Sequence, residues 1–231
     1  MIAESIQKAR VAMSKRAFGE SKALLDEVLS AEPDNFEGRY TLAVLHRAEG
    51  QPANAKALLE TLVAEKPDFG RRFPDLGSCA LALKKEPAAI TAFEQAVEHD
   101  GSLIDSWKFL TTAYLRQGDT RAEQAAMQVD FLASLPNELR TVISYLAANR
   151  MADAERLCRF FLQQNKTHVE GMRLMAEIAT RTGVFDDAEF LLETVMELAP
   201  DHIEAEIQLA HVLLRRQRFH KAHKRVTSIY N

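Results

Sequence analysis

The sequence predicts an all-α protein made of seven helical hairpins that repeat about every 34 residues. Three observations support this fold class. Identical or similar residues recur at intervals of 34, and apolar residues recur with the three-to-four spacing of helices. The chain also has only 9 Gly and 7 Pro in 231 residues, too few for a loop-rich or disordered protein. Two helices of about 12–15 residues, joined by short turns, fill one such period.

The repeat sets the unit boundaries. Ala154, Ala188 and Ala222 follow one another at intervals of 34 residues. Gly118 and Gly183 are 65 residues apart, three short of two periods, so a shorter unit lies between residues 119 and 153. The units then start near Ile2, Phe36, Gly70, Ile104, Leu135, Val169 and Ile203. We expect the fifth unit to lose its three residues from its first helix, near residues 137–149.

The helix ends carry turn and capping signals. Glycine is expected at the turn between the two helices of a unit because the left-handed conformation there costs it little; these residues are Gly50, Gly118 and Gly183. Pro52 lies near the start of a second helix, where the N–H that proline lacks is not needed. Ser102 and Asp105 resemble a capping box, which predicts that they cap the first helix of the fourth unit.

Small residues recur where the two helices of a unit must approach closely, since a larger side chain would separate the axes. In the first helices they are Ala9, Ala43, Gly77, Thr111, Ala176 and Ala210, and in the second helices Ser21, Ala55, Ala89, Ala154, Ala188 and Ala222. A single helix pair cannot bury its apolar face alone, so the pairs are expected to stack. The sequence therefore predicts one α-solenoid domain over residues 1–231.

Two segments show the repeat pattern most clearly: Trp107-x2-Leu110-x3-Tyr114-x3-Gly118-Asp119 and Ala176-x6-Gly183-x4-Ala188-x11-Pro200. They resemble the tetratricopeptide repeat (TPR) family, and the resemblance extends over essentially the whole chain. It implies a right-handed superhelix whose concave face is lined by the first helices and binds peptides or proteins. It also assigns Trp107 to packing.

Helical geometry places one side of each first helix on that concave face. The inward positions are Arg10, Tyr40, Val44, Arg47, Ser78, Lys108, Thr112, Arg116, Leu139, Ile143, Arg173, Glu177, Arg181, Ile207, His211 and Arg215. Seven of them are basic and one is acidic, which predicts a basic groove that favours an acidic peptide or protein segment. The predicted partner-binding residues are Tyr40, Arg47, Lys108, Thr112, Arg116, Arg173, Glu177, Arg181 and His211.

Charge and composition narrow the functional classes. Lys and Arg total 29 against 33 Asp and Glu, a net charge of -4, so the whole chain gives no case for nucleic-acid binding. No uncharged apolar run reaches the roughly 18 residues of a membrane helix. Cys79 and Cys158 are too few for a disulfide framework and lie at apolar helix positions. They predict buried thiols in a reducing, cytoplasmic compartment.

The sequence shows no pattern that predicts catalysis or a cofactor. Phosphate-binding loops and paired metal-binding cysteines are both missing from it. His220 and His223 share one helix face, but two histidines without a nearby Cys or carboxylate are an incomplete metal site. The prediction is therefore a chain that is not an enzyme and holds neither cofactor nor metal.

The leading hypothesis is a non-catalytic scaffold that holds a peptide or a partner helix. A second resemblance supports an alternative: residues 104–226, including Trp107-Lys108-Phe109-Leu110 and Asp187-Ala188-Glu189, are similar to bacterial TPR–sulfotransferase proteins. That resemblance implies a catalytic domain after the repeats and makes this chain its substrate- or partner-presenting arm. The chain ends at Tyr230 and Asn231 without a polar capping helix, so either Ile229 and Tyr230 are exposed or the polypeptide continues.

Overall fold

The computed structural model describes residues 2–66 and 72–229, and these form fourteen α-helices and no β-strand. Successive helices pair into seven hairpins. Their bounds are α1 Ile2–Ser14, α2 Phe18–Ala31, α3 Phe36–Ala48, α4 Pro52–Glu65, α5 Arg72–Ala82, α6 Glu86–His99, α7 Ile104–Gln117, α8 Arg121–Ser134, α9 Asn137–Ala147, α10 Met151–Gln164, α11 Val169–Arg181, α12 Phe185–Leu198, α13 Ile203–Arg215 and α14 Phe219–Ile229. The all-α class and the hairpin repeat are confirmed. The unit start at Gly70 and the exposure of the Ile229 and Tyr230 side chains lie outside what the structure describes.

The turn inside each hairpin has one residue in the left-handed conformation. These residues are Arg16, Gly50, Lys84, Gly118, Asn149, Gly183 and Gln217, with φ between 54° and 81°. Each turn closes in the same way: the Asp119 N–H donates to the Tyr114 carbonyl at 3.0 Å, a bond that caps the end of α7. The 31-residue step from Gly118 to Asn149 replaces 34 and locates the short unit. Its first helix, α9, has only 11 residues, as predicted.

The start of α7 differs from its prediction. The expected capping box of Ser102 and Asp105 is wrong, because Leu103 is the N-cap residue and makes no side-chain cap. The Ser102 hydroxyl instead donates to the Asp100 carboxylate at 2.6 Å, a local bond that competes with capping. Side-chain caps do occur before α3, α11 and α13, where Asn35, His168 and His202 accept the N–H of the residue three positions later.

The predicted small residues lie where the helices of a hairpin meet, and most are fully buried. Gly77 shows why size matters here. A Cβ added to it would lie 2.7 Å from the ring of Phe93, which itself packs against Phe109. Overpacking of this kind costs about 1–3 kcal/mol. Trp107 packs partly buried against the same cluster, as predicted.

The chain divides into two compact units, Met1–His99 with Leu103–Val129 and Asp100–Ser102 with Asp130–Asn231. In unit 1, α2 contacts α3, α4 contacts α5, and α6 contacts α7. In unit 2, α10 contacts α11, and α12 contacts α13. First helices also contact one another. In unit 1, α1 contacts α3, and in unit 2, α11 contacts both α9 and α13. Hairpins therefore share a core with their neighbours inside each unit, as a repeat protein requires.

Candidate partner-binding surface

The first-helix surface of unit 1 contains five of the predicted partner-binding residues. Two of them, Tyr40 and Arg47 on α3, converge on one carboxylate of α5. The Tyr40 hydroxyl donates to Asp75 Oδ2 at 2.7 Å, and an Arg47 guanidinium nitrogen lies 3.2 Å from Asp75 Oδ1. The sequence analysis missed Asp75. No sequence pattern identifies this contact, because Asp75 lies in the next hairpin; Arg10 and Glu37 pair across α1 and α3 in the same way.

The other three residues, Lys108, Thr112 and Arg116, lie on α7. The Lys108 ammonium is 3.5 Å from Asp105 one turn earlier, and Arg116 pairs with Glu86 of α6 at 2.6 Å. The side chains of Lys108 and Arg116 are 56% and 58% exposed, so solvent screens both pairs. Thr112 is exposed, and its hydroxyl donates to the Lys108 carbonyl at 3.0 Å.

Local carboxylates compensate most of the predicted positive charge. Six of the seven inward cations form ion pairs, namely Arg10, Arg47, Lys108, Arg116, Arg173 and Arg181. The exposed pairs among them, such as those of Lys108 and Arg116, contribute only about 0–1 kcal/mol each, because water already solvates both charges. The exposed cations of unit 1 are therefore held in place weakly and can exchange partners.

Arg173 in unit 2 is in a different environment. Its side chain is 10% exposed, and it forms a fork with Glu170, whose own side chain is 8% exposed. Burial alone would lower the pKa of Arg173. The hydrogen bonds and charge of Glu170, with the charges of Glu177 and Glu204, outweigh burial and raise that pKa. His202 of α13 approaches the same carboxylate, with Nε2 3.4 Å from Glu170 Oε2.

The remaining predicted residues of unit 2 are more accessible. Arg181 pairs with Glu177 at 2.5 Å and also donates to the Leu146 carbonyl at 3.0 Å. His211 is exposed on α13. Leu139, another inward position, is fully buried in the core of unit 2. Arg181 and His211 are therefore the two predicted residues that unit 2 leaves open to a partner.

The repeat also matches a known protein family. Residues 12–73 match the tetratricopeptide repeat family. This confirms the resemblance to tetratricopeptide repeats (TPRs). Comparison with curated proteins found no match.

Solved structures show the same fold. Pseudomonas aeruginosa pilF is 17% identical and covers 91% of this chain and 97% of its own, with a TM-score of 0.50. A TPR protein from Parabacteroides merdae ATCC 43184 is 13% identical, with coverages of 98% and 91% and a TM-score of 0.51. A chain of the Naa15/Naa10 complex bound to HypK-THB is 16% identical over 99% of this chain, with a TM-score of 0.49. The present chain covers 36% of that protein's chain.

Both thiols lie in the helical core. Cys79 and Cys158 are free and buried, as predicted. Burial raises the pKa of both, and with the added negative charge of Glu170 it brings the pKa of Cys158 to about 12. A thiol with such a pKa stays protonated at neutral pH and is a poor nucleophile. These cysteines therefore belong to the packing between helices.

The described residues include one histidine pair on the last helix. His220 and His223 are exposed on α14. Within residues 2–66 and 72–229 there is no group of three His, Cys, Asp or Glu side chains that could hold a metal ion. Over the same ranges, no helix has the length and apolar character needed to span a bilayer.

Proposed function

We propose that this chain is a non-catalytic protein-binding scaffold whose first-helix surfaces hold an extended segment with acidic side chains. The observation that supports the proposal most is the set of exposed cations on the first-helix surface of unit 1. Arg47, Lys108 and Arg116 are each at least 41% exposed and paired only with local carboxylates.

An acidic segment can displace the carboxylates paired with Lys108 and Arg116 at little cost, because both pairs are exposed. An exposed pair contributes about 0–1 kcal/mol, so a partner that offers its own carboxylates loses little by replacing the internal one. Steering by the cations would also raise the rate of encounter. Tyr40 and Thr112 would add hydroxyl groups for the partner's backbone. In unit 2, the exposed contacts are Arg181 and His211, while Glu177 and the buried Arg173 hold Arg181 in place through the ion pairs Arg173–Glu177 and Glu177–Arg181.

The finer hypotheses remain predictions. These are a single superhelical domain over residues 1–231, a cytoplasmic location, and the alternative role as the presenting arm of a sulfotransferase. The all-helical fold is compatible with either function. The proposal for the scaffold rests on the first-helix surface and does not depend on what precedes or follows the chain.

Selection from a phage library of random 12-residue peptides would test the proposed function. We expect the enriched peptides to be acidic and to lose about tenfold in affinity for the double variant Arg47→Ala/Arg116→Ala, measured by fluorescence anisotropy. The matched control is Lys22→Ala/Lys56→Ala, which removes two cations from the second helices α2 and α4. Enriched peptides without acidic residues, or an equal loss in both double variants, would contradict the proposal.

A further inference from the structure

A second surface, separate from the first-helix surface, lies between two second helices of unit 2. We call it the α10–α12 groove; it encloses about 720 Å³. Its apolar lining comes from α10, α11 and the start of α12: Leu162, Met175, Ile178, Ala179, Val184, Phe190 and Leu191. Phe190 is 70% exposed and Val184 46% exposed, which is unusual for large apolar side chains.

The repeat does not require an aromatic side chain at the position of Phe190. It stands seven residues after the left-handed turn residue Gly183. The same position in the other second helices holds Ala23, Ala57, Thr91, Ala125, Arg156 and Lys224. The hairpin fold is thus formed six times with smaller or polar residues there. Packing within the hairpin therefore does not account for Phe190, whereas contact with a partner would.

Charged residues give the groove two different ends. Glu155 and Arg159 are among its lining residues, but they pair with each other at 2.5 Å, so their charges compensate each other. Lys166 and Asp187 also line it, and neither forms an ion pair within the described ranges of the chain. Lys166 follows the end of α10, whereas Asp187 lies in the first turn of α12, next to the end of α11. Because consecutive helices are antiparallel, these two charges mark opposite ends of the groove.

We propose that the α10–α12 groove binds a short amphipathic helix of a partner protein. The helix would present apolar residues at i, i+3, i+4 and i+7 to the groove, with an acidic residue in its first turn beside Lys166 and a basic residue in its last turn beside Asp187. That charge order also suits the dipole of the partner helix, so both effects favour one direction, antiparallel to α10. The distance along α10 from Glu155 to Lys166 is about 16 Å, enough for three turns.

The test uses phage-displayed 14-residue peptides with Leu fixed at positions 4, 7, 8 and 11 and all other positions random, selected against the whole chain. We expect enrichment of an acid in the first turn and a base in the last. For the selected peptides, Phe190→Ala should raise the Kd about tenfold or more by fluorescence anisotropy. Phe160→Ala is the matched control. Phe160 is 56% exposed on α10 but does not line this groove, so the Kd should change by less than about twofold.

A charge swap tests the direction of the helix. Lys166→Glu should weaken binding about threefold to fivefold, and replacing the first-turn acid of the peptide with Lys should restore it. An unchanged thermal unfolding temperature for Phe190→Ala will show that the fold is intact, as expected from alanine at this position in other repeats. Equal binding by Phe190→Ala, enrichment of peptides without the predicted charges, or self-association of the chain that Phe190→Ala abolishes would each overturn the proposal.

Discussion

The Lys108–Asp105 pair of unit 1 and the Arg173–Glu170 pair of unit 2 occupy the same positions in two TPR-like repeats. In both, a cation follows an acid by three residues in the first turn of a first helix. The Lys108 pair spans 3.5 Å, and its side chains are 56% and 94% exposed. The Arg173 pair spans 2.6 Å, and its side chains are 10% and 8% exposed. Position in the repeat therefore predicts where a side chain starts but not whether it ends in solvent.

Neighbouring helices explain the burial of the unit 2 pair. The Glu170 carboxylate accepts three hydrogen bonds from the Arg173 guanidinium, and His202 of the following hairpin lies beside it. Removing Glu170 would leave the buried Arg173 charge with only the more distant carboxylate of Glu177. An exposed pair leaves only a solvated ion. Removing the buried pair should therefore lower the folding stability much more than removing the exposed pair.

The largest effect is expected from breaking the buried pair. Glu170→Gln should destabilise the fold by about 3 kcal/mol, because the buried Arg173 loses the charge of Glu170 and keeps only its longer, 3.7 Å pair with Glu177. The matched variant Asp105→Asn should change stability by at most about 0.5 kcal/mol, since both groups remain in water. Urea unfolding followed by circular dichroism measures both. Similar losses in the two variants would refute the distinction between the pairs.

Unit 1 also has a buried polar group, the Tyr114 hydroxyl, whose contribution to stability should depend on pH. Tyr114 is 4% exposed and donates to Glu94 at 2.7 Å. Burial and then the Glu94 hydrogen bond raise the pKa of Tyr114 to about 12. A folded pKa above the unfolded value of about 10 means that this stabilisation is complete below pH 10 and is lost as the pH rises to 12. The loss is at most about 2.7 kcal/mol, since one pKa unit corresponds to about 1.36 kcal/mol.

Absorbance at 295 nm, recorded against pH, should show a tyrosine step near pH 12. Tyr114→Phe should remove that step and flatten the fall in stability between pH 10 and 12 relative to the original chain. A step near pH 12 that is unchanged in Tyr114→Phe, or no such step in the original chain, would contradict this description of the hydroxyl.

A smaller effect is expected at the cap beside the buried pair. His202→Ala should cost about 1 kcal/mol, because the Ala205 N–H loses its acceptor at the start of α13. His202→Asn should keep most of that stability, since Asn also accepts at this position. Thermal unfolding compares the two. Equal destabilisation by Ala and Asn would mean that the contact with Glu170, and not the cap, is what His202 supplies.

The smallest change in stability is expected at the turns inside the hairpins. These turns have the same conformation in both units, whereas the ion pairs differ between the units. Lys84 adopts φ 57° at a position where three of the other repeats have glycine. Lys84→Gly should raise stability by at most about 1 kcal/mol, because strain is relieved while the unfolded chain gains freedom. Gly118→Ala is the opposite change at the equivalent turn and should destabilise. A loss of stability in Lys84→Gly, measured by thermal unfolding, would contradict this interpretation.

Features set by local spacing were predictable from the sequence. The turns at Gly50, Gly118 and Gly183 and the short α9 follow directly from the intervals between residues. The surface features were harder, because side chains distant in the sequence determine them. Asp75 pairs with Tyr40 and Arg47 from the next hairpin, and the cap at Ser102 failed because Asp100 competes for its hydroxyl. Pairing between repeats needs coordinates.

The central claim is that an acidic segment binds the first-helix surface, and NMR titration with an acidic peptide from the first library tests it most directly. We predict that the largest amide chemical-shift changes fall on α3 and α7, around Tyr40, Arg47, Lys108, Thr112 and Arg116. Shift changes confined to the second helices, with those five residues unaffected at saturation, would contradict the claim.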